Sequence, residues 1–323
     1  MARASVLVTG ARGYLGGRLI QHLADGGYDV TGSSRGAAPM PPGWPDAVRP
    51  VVLNPTDEPA ALRPLLEGVD CVVHLSAANE HRSGAEPDAA VWETGVGARR
   101  MLEAATAAGV RRFVYLSTIH VYGAPLTGRL TETSPARPAH PYAITHRLAE
   151  DFVLAAHDAG RIEAAVVRLS NGIGAPAWTA VDRWSLVGND LARQAVEQGE
   201  MVLKAPGQWR DFIPLRDVCA GIETLITTPS ASLGGGVFNL GGGGARTIAD
   251  IARLIAEAAE ARLGPPVTVR SEGAAPDGSP PPFEFVIDKV RALDFQPSGD
   301  AGLRAELSAT VALLADAQAR AAA

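Results

Sequence analysis

Between residues 5 and 25 the sequence reads SVLVTGARGYLGGRLIQHLAD: a strand-length apolar segment, then Gly10, Gly13 and Gly16 at intervals of three, then a helical pattern. Few folds accept that order. Glycines between a strand and a helix let backbone N–H groups approach a pyrophosphate at the helix N-terminus, where the helix dipole favours negative charge. A dinucleotide site is therefore expected here, with Arg12, Tyr14 and Leu15 counted beside the three glycines as cofactor contacts. The alternative, a turn made of glycines for its own sake, is disfavoured because a second strand pattern follows at the expected distance.

Short apolar runs recur at Ser5–Thr9, Asp29–Gly32, Val51–Leu53, Cys71–Leu75, Phe113–Ser117 and Ala165–Leu169, with Val237–Leu240 returning later. Helical patterns fill the intervals at Gly16–Asp25, Ala60–Leu66, Val91–Ala108 and Tyr142–Gly160. Such alternation predicts an α/β chain with a doubly wound parallel Rossmann sheet. The rhythm breaks after residue 169 and again after 244. Residues 1–169 plus 208–244 are expected to form the dinucleotide-binding domain, and 170–207 plus 245–323 a smaller, discontinuous C-terminal substrate lobe. Two proline- and glycine-rich stretches, GAAPMPPGWP after Arg35 and GAAPDGSPPP from Gly273, read as surface loops.

Several function classes are excluded. The 323 residues carry a net charge of −6 spread along the chain, which gives no basic face for nucleic acid. No apolar run approaches the roughly 20 residues of a membrane span. The first ten residues lead directly into the glycine turn rather than forming a signal core, so a cytoplasmic protein is expected. Cys71 and Cys219 fall in strand and helix patterns without metal-ligand spacing and read as small buried hydrophobes.

NAD-preferring dinucleotide folds place an acid at the end of the second strand to bind the ribose 2′-hydroxyl, whereas DVTGSSR ends here in Ser33, Ser34 and Arg35. With Arg12 in the glycine turn, Arg35 and Ser34 can bond a 2′-phosphate, so NADP(H) is favoured over NAD(H). Each arginine taken alone is equally readable as a solvated loop residue.

The segments TGARGYLG, CVVHLSAA, YLSTIHVYG, PYAITH, VRLSNGIGAP, WRDFIPLRDV and VFNLGGG follow one another in that order. Together they resemble the extended short-chain dehydrogenase/reductase family over essentially the whole chain, especially its branch of nucleotide-sugar epimerases, dehydratases and ketoreductases. The resemblance implies that Asn54 lies near the adenine and that His74 to Ala78, with Leu75, Ser76 and Ala77 among them, line the cofactor. It implies too that Tyr142 exchanges a proton with the substrate oxygen while Thr118 polarises that oxygen, and that the two long helices form a homodimer surface.

One departure stands out. The family's Tyr-x-x-x-Lys lysine is His146 here, four residues after Tyr142 and on the same helix face. Imidazole, with an ordinary pKa of about 6.5, carries its charge only part of the time, so Tyr142 should be less acidic than in the family at large. Arg147 points about 100° away around the helix and is a poor substitute. Three roles stay open for His146: a working replacement, a relic in a slow or non-redox enzyme, or a plain helix residue in a protein that only binds cofactor.

Related dehydratases carry Asp-Glu after the threonine, whereas this chain has Ile119 and His120, so elimination lacks its usual acids. His120 reads either as a second acid or base or as a packed histidine. The resemblance gives Asn171 and Arg210 to the substrate diphosphate; for Arg210 the alternative is an ion pair with Asp211 or Asp217. Trp178, Trp184 and Trp209 suit either stacking on substrate or core packing. The function expected is NADPH-dependent reduction of a keto group on a nucleotide-linked deoxysugar. A 4-epimerase and a catalytically silent NADP(H) sensor or scaffold are the alternatives.

Overall fold

The computed structural model describes residues 3–37, 39–181, 183–274, 278–279 and 281–322. Along the chain lie β1 (Ser5–Thr9), α1 (Tyr14–Asp25), β2 (Asp29–Ser34), β3 (Val48–Val52), α2 (Pro59–Leu62), β4 (Cys71–His74), α3 (Glu80–Ala85), α4 (Pro87–Ala90), α5 (Gly97–Ala107), β5 (Arg112–Thr118), β6 (Gly128–Leu130), α6 (Pro141–Asp158), β7 (Glu163–Leu169) and β8 (Asn171–Ile173). They are followed by α7 (Val187–Gln198), β9 (Glu200–Leu203), β10 (Trp209–Pro214), α8 (Leu215–Thr227), β11 (Val237–Leu240), β12 (Ala245–Thr247), α9 (Ile248–Leu263), β13 (Thr268–Ser271), β14 (Phe283–Phe285), α10 (Asp288–Arg291) and α11 (Gly299–Ala322).

Seven strands form one parallel sheet in the order β11-β7-β5-β4-β1-β2-β3. The expected doubly wound sheet is present. Strand residues alternate between its faces: Val6 and Val8 pack with Leu19 of α1 and Ile222 of α8, while Leu7 packs with Met101 of α5 and Val153 of α6. With helices on both faces, the central strands are apolar throughout, as the sequence pattern requires. The order reverses between β1 and β4, so the loops at their C-terminal ends diverge and leave the crevice where open α/β sheets bind ligands.

The remaining residues bury their own core, in which Leu191 of α7, Ile255 of α9 and Leu307 of α11 meet beneath Phe212. Two segments cross the boundaries read from the sequence. Trp209–Pro214 joins β8 and β12 in a separate three-stranded sheet, and Phe283, Phe285 and Val290 pack into the cluster that holds β1 and α1. Both partnerships span long sequence separations, which the local βα rhythm does not encode.

The helix expected over Val91–Ala108 is also divided: Val91–Val96 is π-helical and α5 begins only at Gly97. The stretch after Arg35 and the one from Gly273 lie partly outside the described residues, at residue 38 and at residues 275–277 and 280. Both cysteines are buried and free, and among the described residues no helix is long and apolar enough to cross a membrane.

Candidate active site

The glycine turn is built by backbone contact. Gly10 adopts φ +67°, a conformation glycine reaches without cost, and its carbonyl accepts from Gly13 N at 2.8 Å. A Cβ on Gly16 would stand 2.1 Å from that same carbonyl oxygen, so α1 can approach the turn only without a side chain there. Thr9, at the end of β1, accepts from the backbone N–H of Leu75 and Ser76 at 3.0 and 3.2 Å and lies 2.9 Å from His74 Nδ1. These bonds pull the end of β4 onto the glycine turn, which is why Leu75, Ser76 and Ala77 line one pocket with Gly10 and Gly13.

That pocket also takes in Arg12, Ser34, Arg35 and Asn54, four residues picked out in the sequence. Their side chains are engaged within the protein. Asn54 Oδ1 accepts from Thr56 N and Oγ1, Ser34 Oγ donates to Gly36 O, and Arg12 Nη2 donates to Pro39 O. Arg35 is ion-paired with Glu93, 3.2 Å away, and lines the same pocket. Among the other turn residues, Tyr14 and Leu15 both lie in the cleft wall, and the Tyr14 hydroxyl donates to Gly174 O at 2.7 Å.

A second cleft of about 490 Å³ continues from the glycine turn and brings together Thr118, His120, Tyr142, His146, Asn171 and Arg210. Distant segments supply them. Thr118 closes β5, and His140 with Pro141 starts α6 as N-cap and first helical residue, which sets Tyr142 in the first turn and His146 one turn on. The two rings meet edge to face with centroids 4.6 Å apart, and Thr118 lines the same cleft.

His146 is 3% exposed; its Nδ1 lies 2.9 Å from Tyr115 Oη, and among the described residues its buried Nε2 has no hydrogen-bonding partner. Burial lowers its pKa to about 4, so near neutral pH it is an uncharged imidazole rather than a part-time cation. Burial likewise lowers His120 to about 4 and the fully enclosed His74 to about 3. Tyr142 is pushed up, first by burial and then by the Glu80 carboxylate, against smaller contributions from Arg183 and Thr118. The site holds a protonated phenol beside a neutral histidine.

Arg147 turns away, as expected, to Glu150 and Asp151. Asn171 and Arg210 touch one another at 3.3 Å, and Asn171 Nδ2 donates to Asp211 O. Neither carboxylate proposed for Arg210 takes it: Asp211 accepts from Gly242 N and Gly244 N, and Asp217 accepts from Ser298. The tryptophans pack. Trp178 stacks on Trp44 with centroids 6.0 Å apart and donates to Arg12 O, while Trp209 lies against the cluster that holds Val6 and Val8 and Trp184 against the one that holds Leu191.

Sequence reasoning passed over Glu80, Glu93, Tyr115 and Arg183. Glu80 and Arg183 form an ion pair of 3.2 Å at the mouth of the cleft. An acid directly after the SAAN run was the available signal for Glu80. Tyr115 carried none, since a strand aromatic reads as core.

The glycine turn, the threonine of β5 and the tyrosine of α6 now stand around one cleft at the switch point of a parallel sheet. A family model described as the NAD dependent epimerase/dehydratase family matches residues 6–241. The chain belongs to that family. Among curated relatives, this family member is 32% identical over 294 residues to a dTDP-6-deoxy-L-talose 4-dehydrogenase (NAD(P)(+)) of Kitasatospora kifunensis, covering 88% of this chain and 86% of the relative. It is 31% identical over 325 residues to a dTDP-glucose 4,6-dehydratase of Streptomyces griseus, covering 95% and 93%. Of solved structures, a UDP-glucuronic acid 4-epimerase from Bacillus cereus in complex with UDP-glucuronic acid and NAD superimposes with a TM-score of 0.78 at 23% identity, over 97% of this chain and 99% of that one. The protein is an NAD(P)-dependent enzyme of the extended short-chain dehydrogenase type.

Proposed function

We propose that this enzyme reduces a keto group on a nucleotide-linked deoxysugar. The observation that carries the reading is the pairing of Thr118 and Tyr142 in the cleft with Ile119 and His120 where an eliminating enzyme would place two acids. The cleft has the groups to handle one oxygen and its proton, and neither residue directly after Thr118 is a carboxylic acid. The relatives' names, a 4-dehydrogenase of a dTDP-deoxysugar foremost, support the substrate class.

The residues suit a dinucleotide: the glycine turn is open to a pyrophosphate, and the unpartnered His146 Nε2 borders the same cleft. A bound nicotinamide supplies or takes up the hydride. Gly10, Gly13, Ser76 and Ala77 would hold the pyrophosphate part of the dinucleotide, and His146, as a neutral imidazole, can donate or accept one hydrogen bond but brings no charge. Thr118 holds the substrate oxygen, and Tyr142 hands it a proton; its raised pKa keeps that proton in place until negative charge develops on the oxygen. Asn171 and Arg210 are proposed to take the diphosphate. The sequence preference for NADP(H) rests on Ser34, Arg12 and Arg35, and the pairing of Arg35 with Glu93 weakens it.

A homodimer in the cytoplasm is the proposed working form. Val91, Trp92, Ile144 and Phe152 are apolar yet 37–50% exposed on the π-helical turn and α6, and the free, buried cysteines suit a reducing compartment.

The test is a panel of dTDP- and UDP-linked 4-keto-6-deoxyhexoses with NADH and NADPH, followed at the nicotinamide absorbance. Stoichiometric loss of reduced cofactor is expected, and Tyr142→Phe should lower kcat/KM at least about 100-fold. Interconversion of sugars without net cofactor change would mean a 4-epimerase instead. Binding with neither reaction would mean a sensor.

A further inference from the structure

The pocket beside β2 contains a carboxylate contributed from about 60 residues further along the chain. Glu93 belongs to the π-helical turn Val91–Val96, a geometry often found at functional sites. Its neighbour Thr94 accepts from Ala78 N at 3.0 Å, which fixes this turn on the loop after β4. Glu93 is 17% exposed and borders both the pocket of Ser34 and Asn54 and the cleft of Tyr142. Its two oxygens lie 3.2 Å from Arg35 and 2.7 Å from Arg82, and Arg82 also reaches Glu86 at 3.6 Å.

Arg35 stands just past the end of β2, where dinucleotide folds distinguish a ribose 2′-hydroxyl from a 2′-phosphate. The acid usually found there is missing from β2, and Glu93 restores one in space. We propose that Glu93 sets the cofactor choice of this enzyme and tilts it toward NAD(H). Glu93 and Glu86 offset Arg35 and Arg82, so the positive field that Arg35 alone would offer a 2′-phosphate is reduced, and Arg12 is the further guanidinium in the lining. A phosphate group brings about two negative charges next to the Glu93 carboxylate, whereas a hydroxyl is neutral and can donate to it. Arg35 is 65% exposed, and the Glu93 carboxylate decides where its guanidinium rests. This inference rests on the proposal that a nicotinamide dinucleotide occupies the pocket, and not on the reaction carried out there.

Calorimetric titration of the purified protein with NADH and with NADPH separates the two. Wild type should bind NADH at least as tightly as NADPH. Glu93→Gln, nearly identical in shape, should shift the ratio of dissociation constants toward NADPH by about tenfold. Adding Arg35→Ala to Glu93→Gln should return the ratio toward wild type, because the released arginine is what holds the phosphate. A wild type that prefers NADPH, an unmoved ratio in Glu93→Gln, or a gain that survives loss of Arg35 overturns the proposal. A shifted ratio in a protein that reduces no keto sugar upholds it while sinking the proposed reaction. A wild type that binds neither dinucleotide overturns both.

Discussion

Tyr115 Oη lies 2.9 Å from His146 Nδ1, joining a side chain of the central strand β5 to the histidine one helical turn after Tyr142. Both groups are buried, so the bond cannot be exchanged for one to water. It holds the imbalance of the site in place: a neutral imidazole, oriented from behind, beside a phenol that keeps its proton.

Removing the Tyr115 hydroxyl should therefore be felt in stability as well as in catalysis. Tyr115→Phe leaves the buried Nδ1 of His146 without its partner, at a cost of about 1–3 kcal/mol. Urea denaturation measures this, and an unchanged midpoint would mean that the pair contributes nothing net.

The buried histidines make the fold sensitive to acid. His146 and His120 fall to about 4 in the folded chain, against about 6.5 unfolded. Between those values the unfolded chain binds more protons, so stability is complete above pH about 6.5 and declines as the pH falls toward 4, by up to about 1.4 kcal/mol per pH unit for each histidine. Unfolding free energies recorded across that window should show the decline, and His146→Gln should flatten it.

His146→Lys places an ammonium group one helical turn from Tyr142. If that cation couples to the phenol, the basic limb of the pH–rate profile moves to lower pH, since a neighbouring positive charge favours the phenolate. An unmoved profile, with the variant folded and turning over, would separate His146 from proton transfer altogether.

At the other end of the site, Gly16→Ala brings a methyl carbon to 2.1 Å from the Gly10 carbonyl oxygen, and only backbone can give way. Dinucleotide affinity should drop by at least about tenfold, because the turn and α1 must separate to relieve the clash. Titration with NADH reads the loss directly.

Within α6, Glu150 is fully buried and accepts from Ser117 and Arg168, which is itself only 3% exposed. Glu150→Gln leaves a buried guanidinium uncompensated and should destabilise the fold by about 3–5 kcal/mol. A melting curve with the wild-type midpoint would contradict that.

The sheet was legible because its signal is local: apolar runs such as Cys71–His74 and the alternation of Val6, Leu7 and Val8 follow from strand geometry and burial. Thr118, Tyr142 and His146 were legible through motif spacing. Glu93, Tyr115 and Arg183 were not, because their importance lies in what stands opposite them. Arg35 illustrates the difference, being an exposed loop cation in the sequence and one arm of an ion pair in space.

The sequence by itself determined the glycine turn, the parallel α/β order and the spacing of His146 from Tyr142, since each depends on residue types a few positions apart. Only the tertiary structure decided that His146 is uncharged, that Arg35 is claimed by Glu93, and that β10 joins the lobe sheet. Charge state follows from burial, and ion pairing and strand pairing follow from neighbours dozens of residues away. None of these is a property of a residue and its immediate sequence.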